Sequence, residues 1–262
     1  MLQFRSYVRA ESLEQAYTLN QNRSSRLVGG MLWLRTGTGA AGTAIDLSGL
    51  GLDTVEHRDG SFVLGAMTTL RTLELHPELN ARTGGAFAKA LSPIVGVQFR
   101  NMATVGGSVW GRFGFSDVLT LLLALDAEVE LYHAGRMPLA RFAELPQDRD
   151  LLVRIFVPDR PVKVDYQAVR IARTDLPVLT CAAALPENGP ARVAVGARPM
   201  RAMPVPDPAG LLADGLTPEK IAAFSEQAAQ TVPTGSNSRG SAAYRTHLVK
   251  VLTARALGGL LV

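Results

Sequence analysis

Apolar and polar positions along the chain change period several times, and the changes divide it into short strands and helices. Ser12-Leu13-Glu14-Gln15 has the form of a capping box, with Gln15 placed to reach back from the third helical position, and predicts a short helix through Leu19. Leu27 and Val28 read as the end of a strand, followed at once by Gly29-Gly30. Residues 62–64 predict a strand ending at Gly65-Ala66, residues 69–75 a helix with Leu70 and Leu73 on one face, and residues 84–91 a small-residue helix ended by Pro93. The most apolar run, 118–125, follows Ser116, which can cap a helix over 117–125. Residues 128–132 and 151–157 then read as strands, and Pro158 and Pro161 interrupt the pattern. Beyond them, 166–173, 179–185 and 192–197 alternate or run apolar with turn residues between, which predicts a three-stranded antiparallel sheet. Two helices follow, at about 218–230 and 243–257, joined by a polar Gly- and Ser-containing loop over 233–241.

Composition narrows the class. With 47% apolar and 19% charged residues in 262, the chain is globular with a sizeable core, long enough for one large domain or two ordinary ones. A net charge of +4 from scattered basic residues marks no nucleic-acid face. The run 118–125 is too short to span a bilayer, and Met1-Leu2-Gln3-Phe4-Arg5 lacks the apolar region of a secretory signal, so a soluble, cytoplasmic protein is expected. Cys181 is alone, which excludes an internal disulfide and a cysteine-ligated iron–sulfur cluster within this chain.

Candidate chemistry concentrates in two glycine pairs. Thr104-Val105-Gly106-Gly107-Ser108 reads as a loop whose backbone N–H groups can approach an anion such as phosphate; the alternative is a tight turn. Asp117, in the first turn of the next helix, is free to accept hydrogen bonds. Gly29-Gly30, at a strand end, suits a backbone that bends closely over a ligand. The run 37–42 matches G-x-G-x-x-G, but it leads into strand-like 43–47 instead of opening a helix, and it reads as a flexible turn. His57, His76, His133 and His247 have no metal-ligand spacing, and no G-x-S-x-G elbow is present. A site built from backbone is the pattern expected where a cofactor carries the reaction.

Leu27-Val28-Gly29-Gly30, Ile45-Asp46-Leu47-Ser48, Gly65-Ala66-Met67-Thr68-Thr69, the Thr104 to Ser108 motif, Ser116-Asp117 running into Leu122 to Ala127, Tyr244-Arg245 and Arg255-Ala256-Leu257 occur in one order. In that order they resemble the FAD-binding (medium) subunit of the molybdenum hydroxylases, the group containing xanthine dehydrogenase, carbon monoxide dehydrogenase and nicotinate dehydrogenase. The resemblance implies an α+β fold. A two-part vanillyl-alcohol-oxidase-like (PCMH-type) FAD-binding domain would occupy 1–160, with parts at about 1–55 and 56–160. A C-terminal domain at 161–262 would hold a three-stranded antiparallel sheet with packed helices.

The resemblance also implies the site. Val28, Gly29, Gly30, Met31, Leu32, Trp33 and Leu34, with Thr104, Val105, Gly106, Gly107 and Ser108, would hold the FAD diphosphate. Asp117 would serve the ribose or adenosine side. Leu152 would lie against the flavin or, alternatively, be an ordinary core residue. Neither glycine loop has a Cys or His for attachment, so FAD is expected to be non-covalent. Met31-Leu32 stands where the family commonly has a polar residue, and Arg112, Phe113 and Phe115 depart from its small-and-proline pattern. Arg112 would reach the pyrophosphate or a partner, Phe113 or Phe115 would stack on adenine, or all three would serve surface or packing roles. One of Arg170 and Arg173 would face the flavin, or else both would serve a solvent or interdomain role. No catalytic side chain or metal ligand is implied. The implied function is electron transfer from a separate 2Fe–2S subunit, supplied by a molybdenum-cofactor subunit, to NAD or another acceptor. A flavin-free structural subunit and a stand-alone flavin oxidase are the alternatives.

Overall fold

The computed structural model describes residues 1–261. Its first sheet is formed by β1 (Leu2–Arg9), β2 (Arg26–Val28) and β3 (Gly39–Asp46), with α1 (Leu13–Asn20) between the first two. All its pairings are parallel, in the order β1-β3-β2. The Ser12 hydroxyl caps α1 by accepting from the Gln15 amide, while the Gln15 side chain accepts from the Glu11 amide at 2.7 Å. Most of the run expected to be a flexible turn at 37–42 is strand instead. Gly39, Ala40 and Ala41 pair with Leu2, Gln3 and Phe4, a parallel partner far away in sequence that local composition does not reveal. At Gly42 a Cβ would sit 2.3 Å from the Ser24 hydroxyl, so the small residue fits a close approach.

A five-stranded antiparallel sheet follows, in the order β4-β5-β8-β6-β7. It begins with β4 (Val55–Arg58) and β5 (Ser61–Gly65). A helical segment comes next: α2 (Leu70–Leu75), α3 (Pro77–Arg82), α4 (Ala86–Leu91), α5 (Val97–Met102), α6 (Val105–Gly111) and α7 (Asp117–Ala124). The sheet is completed by β6 (Glu128–Leu131), β7 (Gly135–Pro138) and, after α8 (Leu139–Glu144), β8 (Leu152–Pro158). Every residue of α7 is buried, as expected of a helix that is apolar on all sides. It is enclosed by α4 and α6 on one side and by the C-terminal sheet on the other.

The stretch expected to be a phosphate loop, Thr104 to Ser108, opens α6. Thr104 is its N-cap, and its hydroxyl accepts from the Gly107 amide at 3.1 Å. Glycine disfavours a helix interior by about 1 kcal/mol relative to alanine, which is why the sequence reads as a loop. Packing overrides that preference. A Cβ on Gly106 would lie 2.5 Å from the Ala66 carbonyl oxygen, so the helix rests directly on the turn after β5.

The C-terminal part holds β9 (Val162–Val169), β10 (Leu179–Pro186), β11 (Arg192–Gly196) and β12 (Met203–Pro204), antiparallel in the order β12-β11-β10-β9. The fourth strand, absent from the expected three, is two residues long and contains a proline, too short to show any period. Helices α9 (Pro218–Thr231) and α10 (Ala242–Gly258) pack against each other, and α10 also packs on β9 and β10. Arg245, 0% exposed, donates to the carbonyls of Val178, Gly235 and Gly240 and to Asn237 Oδ1, fixing the 235–240 loop from inside.

Candidate functional site

A cavity of about 540 Å³ opens between the loop after β2, the segment 94–103, the start of α6 and the stretch before α7. Leu176, from the C-terminal part, also lines it. Cofactor sites commonly have this size and place, a largely apolar cleft between structural units with a few polar groups converging on it.

The first glycine pair forms its floor. A Cβ on Gly29 would lie 2.8 Å from the Thr104 hydroxyl, and one on Gly30 only 1.8 Å from the Met102 carbonyl oxygen, so this loop lies flat on residues 102–104. The amides of Gly30, Met31, Leu32 and Trp33 donate to no protein acceptor among the described residues. Met31 has a φ of 59°, in the left-handed region, which turns the chain before a short 3₁₀ turn at Leu34–Thr36. Four residues in succession thus offer neutral donors beside the cavity, an arrangement suited to an anion.

The second pair behaves differently. The amides of Val105 and Gly106 donate to Thr68 and Ala66 carbonyls at 2.9 Å, and those of Gly107 and Ser108 to the hydroxyl and carbonyl of Thr104 at 3.1 Å. Thr104, Gly107 and Ser108 line the cavity; Val105 and Gly106 are buried behind it. Gly29 through Leu34 and Asp117 line it too. Val28 lies buried in β2 with its neighbour Leu27 on the wall, and Leu152 packs in the core on β8 without reaching the cavity.

Asp117 is not free. Its Oδ1 accepts from the Tyr166 hydroxyl and from the Arg170 guanidinium, and all three side chains are buried. Burial pushes its carboxyl up from the ordinary value, and Arg170 and Tyr166 only partly offset that. Arg170 also donates to the Asp175 carbonyl at 2.6 Å, so it stands between the two parts of the chain, while Arg173 is exposed in the turn that follows. Arg112 turns inward at a φ of 44°, its guanidinium 4.0 Å over the Phe142 ring and donating to the Leu145 carbonyl at 2.7 Å; it reaches neither the cavity nor the surface. Phe113 and Phe115 do line the cavity, beside Trp33.

Sequence reasoning missed the support beneath this loop. Arg100 and Glu74, both buried, pair at 2.6 Å, and Arg100 also donates to the Ile94 carbonyl at 3.0 Å. The pair fixes the segment that carries Met102 under Gly30. The signal available was a lone charge at 100 within a stretch, 90–111, that carries no other charged residue. The histidines lie elsewhere: His57 bonds Asp159 at 2.6 Å and His133 stacks on Tyr17. Cys181 is buried, with its thiol pushed up to about 12 by burial. No group of three metal-binding side chains occurs among the described residues, and no helix is long and apolar enough to cross a membrane.

Open backbone donors next to flat aromatic walls match the chemistry of a dinucleotide, a diphosphate joining two ring systems. Comparison with known proteins agrees. Residues 2–160 match the family model of the FAD binding domain in molybdopterin dehydrogenase, and 165–260 that of the CO dehydrogenase flavoprotein C-terminal domain. The chain is 27% identical over 257 residues to the uncharacterised protein YgfM of Escherichia coli K12, covering 95% of this chain and 93% of that one. It is also 27% identical over 286 residues to the xanthine dehydrogenase FAD-binding subunit of Escherichia coli O157:H7, covering 98% and 96%. In fold it is similar to a chain of carbon monoxide dehydrogenase from Hydrogenophaga pseudoflava, with a TM-score of 0.87 over 98% of this chain and 96% of that one at 23% identity. By these matches, which span nearly the whole chain, it belongs to the family of FAD-binding subunits of the molybdenum hydroxylases, with FAD as its cofactor.

Proposed function

We propose that this chain is the electron-transfer subunit of a molybdenum-containing dehydrogenase, receiving electrons from a 2Fe–2S subunit and passing them to NAD or another acceptor. The observation that carries this reading is the row of residues from Gly30 to Trp33, which line the cavity and whose amides donate to no protein acceptor among the described residues. Those amides hold the diphosphate, with Thr104, Gly107 and Ser108 closing the opposite wall. Asp117 accepts from a ribose hydroxyl while it stays anchored to Arg170. Bound FAD supplies one- and two-electron chemistry, and the protein supplies its orientation. Binding is non-covalent, because no Cys or His lines the cavity. The substrate-oxidising molybdenum centre and the iron–sulfur relay belong to partner chains, since the one cysteine here is buried in the C-terminal core. The first two sheets form the two parts of a vanillyl-alcohol-oxidase-like FAD-binding domain, at about 1–55 and 56–160, with the C-terminal domain beginning near 161.

Purification in its native complex tests this. The expected result is a yellow protein whose flavin passes wholly into the supernatant on acid precipitation, together with chains bearing molybdenum and iron. A colourless complex of the same composition would mean a flavin-free structural subunit. Substrate turnover by this chain alone would mean a self-contained flavin oxidase.

A further inference from the structure

The cavity is bounded by several aromatic rings and by no lysine or arginine side chain. Trp33 lies 5.1 Å from Phe115, 6.0 Å from Phe113 and 6.1 Å from Phe99, centroid to centroid. Phe113 and Phe115 stack on each other at 5.2 Å with planes 9° apart. Their placement is built in from several sides. Arg112 is anchored inward under Phe142, Gly111 lacks the Cβ that would collide with the Phe113 ring at 2.3 Å, and Gly114 sits where a Cβ would meet the Pro199 carbonyl oxygen at 2.8 Å. Trp33 nevertheless keeps 39% of its surface open, a large ring left uncovered at the mouth of a cavity. The one carboxylate on the wall, Asp117, is already neutralised by Arg170.

Resting on the FAD reading above, we propose that Trp33, with Phe113 and Phe115 behind it, stacks on a ring system of the dinucleotide. Affinity in this chain then comes from ring stacking and neutral backbone donors, with no cationic side chain on the diphosphate. Stacking is sequence-local here because Trp33 itself carries the last of the four open amides, so one loop both holds the diphosphate and covers a ring.

Two measurements test it on the full chain stripped of flavin. FAD titration followed by flavin fluorescence should give about tenfold weaker binding for Trp33→Ala, from the usual worth of one stacked ring, and binding within about threefold of the parent for Trp33→Phe. Phe115→Leu, which keeps most of the volume and removes the ring, should weaken FAD by about threefold to tenfold and carries the test if Trp33→Ala does not fold. The Trp33→Ala loss should recur with ADP or with riboflavin, each of which bears one of the two rings. Raising salt from low to high should change the parent's affinity by less than about twofold, because neutral donors are not screened as a charged contact is. Unchanged FAD affinity in both ring-deleted variants, a loss shared by neither ADP nor riboflavin, or a tenfold loss with salt would each overturn the proposal while leaving the cofactor reading intact. A parent that binds no FAD at all would overturn both.

Discussion

At Gly29-Gly30 the chain lies against the Met102 carbonyl and the amides of Gly30 through Trp33 stay without a protein acceptor, whereas the Gly106 and Gly107 amides are bonded, to the Ala66 carbonyl and the Thr104 hydroxyl, and the side chain absent at Gly106 makes room for Ala66. Two glycines in a row therefore serve two physical ends. The first pair sets unbonded donors beside the cavity, and the second lets α6 settle on the turn after β5 so that Thr104, Gly107 and Ser108 line it. At both pairs the missing Cβ makes room for protein, Met102 and Thr104 at the first and Ala66 at the second; what separates them is whether the amides nearby are left without a protein acceptor.

The contrast can be broken hardest from beneath the first pair. Arg100→Ala would leave Glu74 buried with only Arg71 beside it and release the segment that carries Met102; a loss of about 3–5 kcal/mol is expected in chemical denaturation. FAD binding should fall with it. A variant as stable as the parent would show that the glycine loop needs no such support.

Substitutions within the second pair sharpen the comparison. Gly106→Ala collides with main chain and should cost about 1–3 kcal/mol in stability, with FAD affinity of the folded fraction within about twofold of the parent. Gly107→Val has only the Thr104 hydroxyl nearby, at 3.1 Å from its Cβ, and projects into the cavity. It should leave the melting midpoint nearly unchanged and weaken FAD by about tenfold or more. Equal loss of FAD in both, without loss of stability, would erase the distinction.

Acidity offers a smaller lever. Burial pushes the Glu74 carboxyl up, but hydrogen bonds from Arg100 and Arg71 outweigh it and hold the group below its ordinary value of 4.5. A carboxylate depressed in this way adds stability above its unfolded pKa and loses it as pH falls through the lower folded value. Stability curves of the parent and of Glu74→Gln should therefore lie apart near neutrality and converge as pH falls below the ordinary 4.5 and through the lower folded value. Curves that stay parallel throughout would mean that the ion pair contributes nothing through its charge.

What the sequence reveals follows from how local each signal is. The helix at 117–124 is legible because Ser116 caps it and only Thr120 interrupts its apolar run, and α9 and α10 because each is long and opened by a capping hydroxyl, Thr217 or Ser241. The helical state of Thr104 to Ser108 is not legible, since two glycines argue against a helix and the packing that overrides them lies at Ala66. The strand at 39–46 depends on β1, and Asp117's partners lie 49 and 53 residues away. Arg245 and Arg100 mislead for a common reason: arginine is ordinarily solvated, and only a buried ring of carbonyls or a buried carboxylate makes an interior position tenable. The glycines of the first loop marked a stretch that lines the cavity, and the resemblance offered Phe113 or Phe115 as a stacking ring, whereas the grouping of both with Trp33 became visible only in the fold.

Met31 gives the first loop a history that can be read as a trade. A non-glycine residue held at a φ of 59° stores about 1 kcal/mol or more of backbone strain, and glycine would hold the same turn without it. Selection for thermal stability alone, as in a directed-evolution library screened by heat, should therefore replace Met31 early, with Met31→Gly raising stability by about 0.5–1 kcal/mol. If such clones melt higher yet hold FAD less firmly, the strained methionine is what keeps the open amides in formation, and the loop's order has been favoured over its ease.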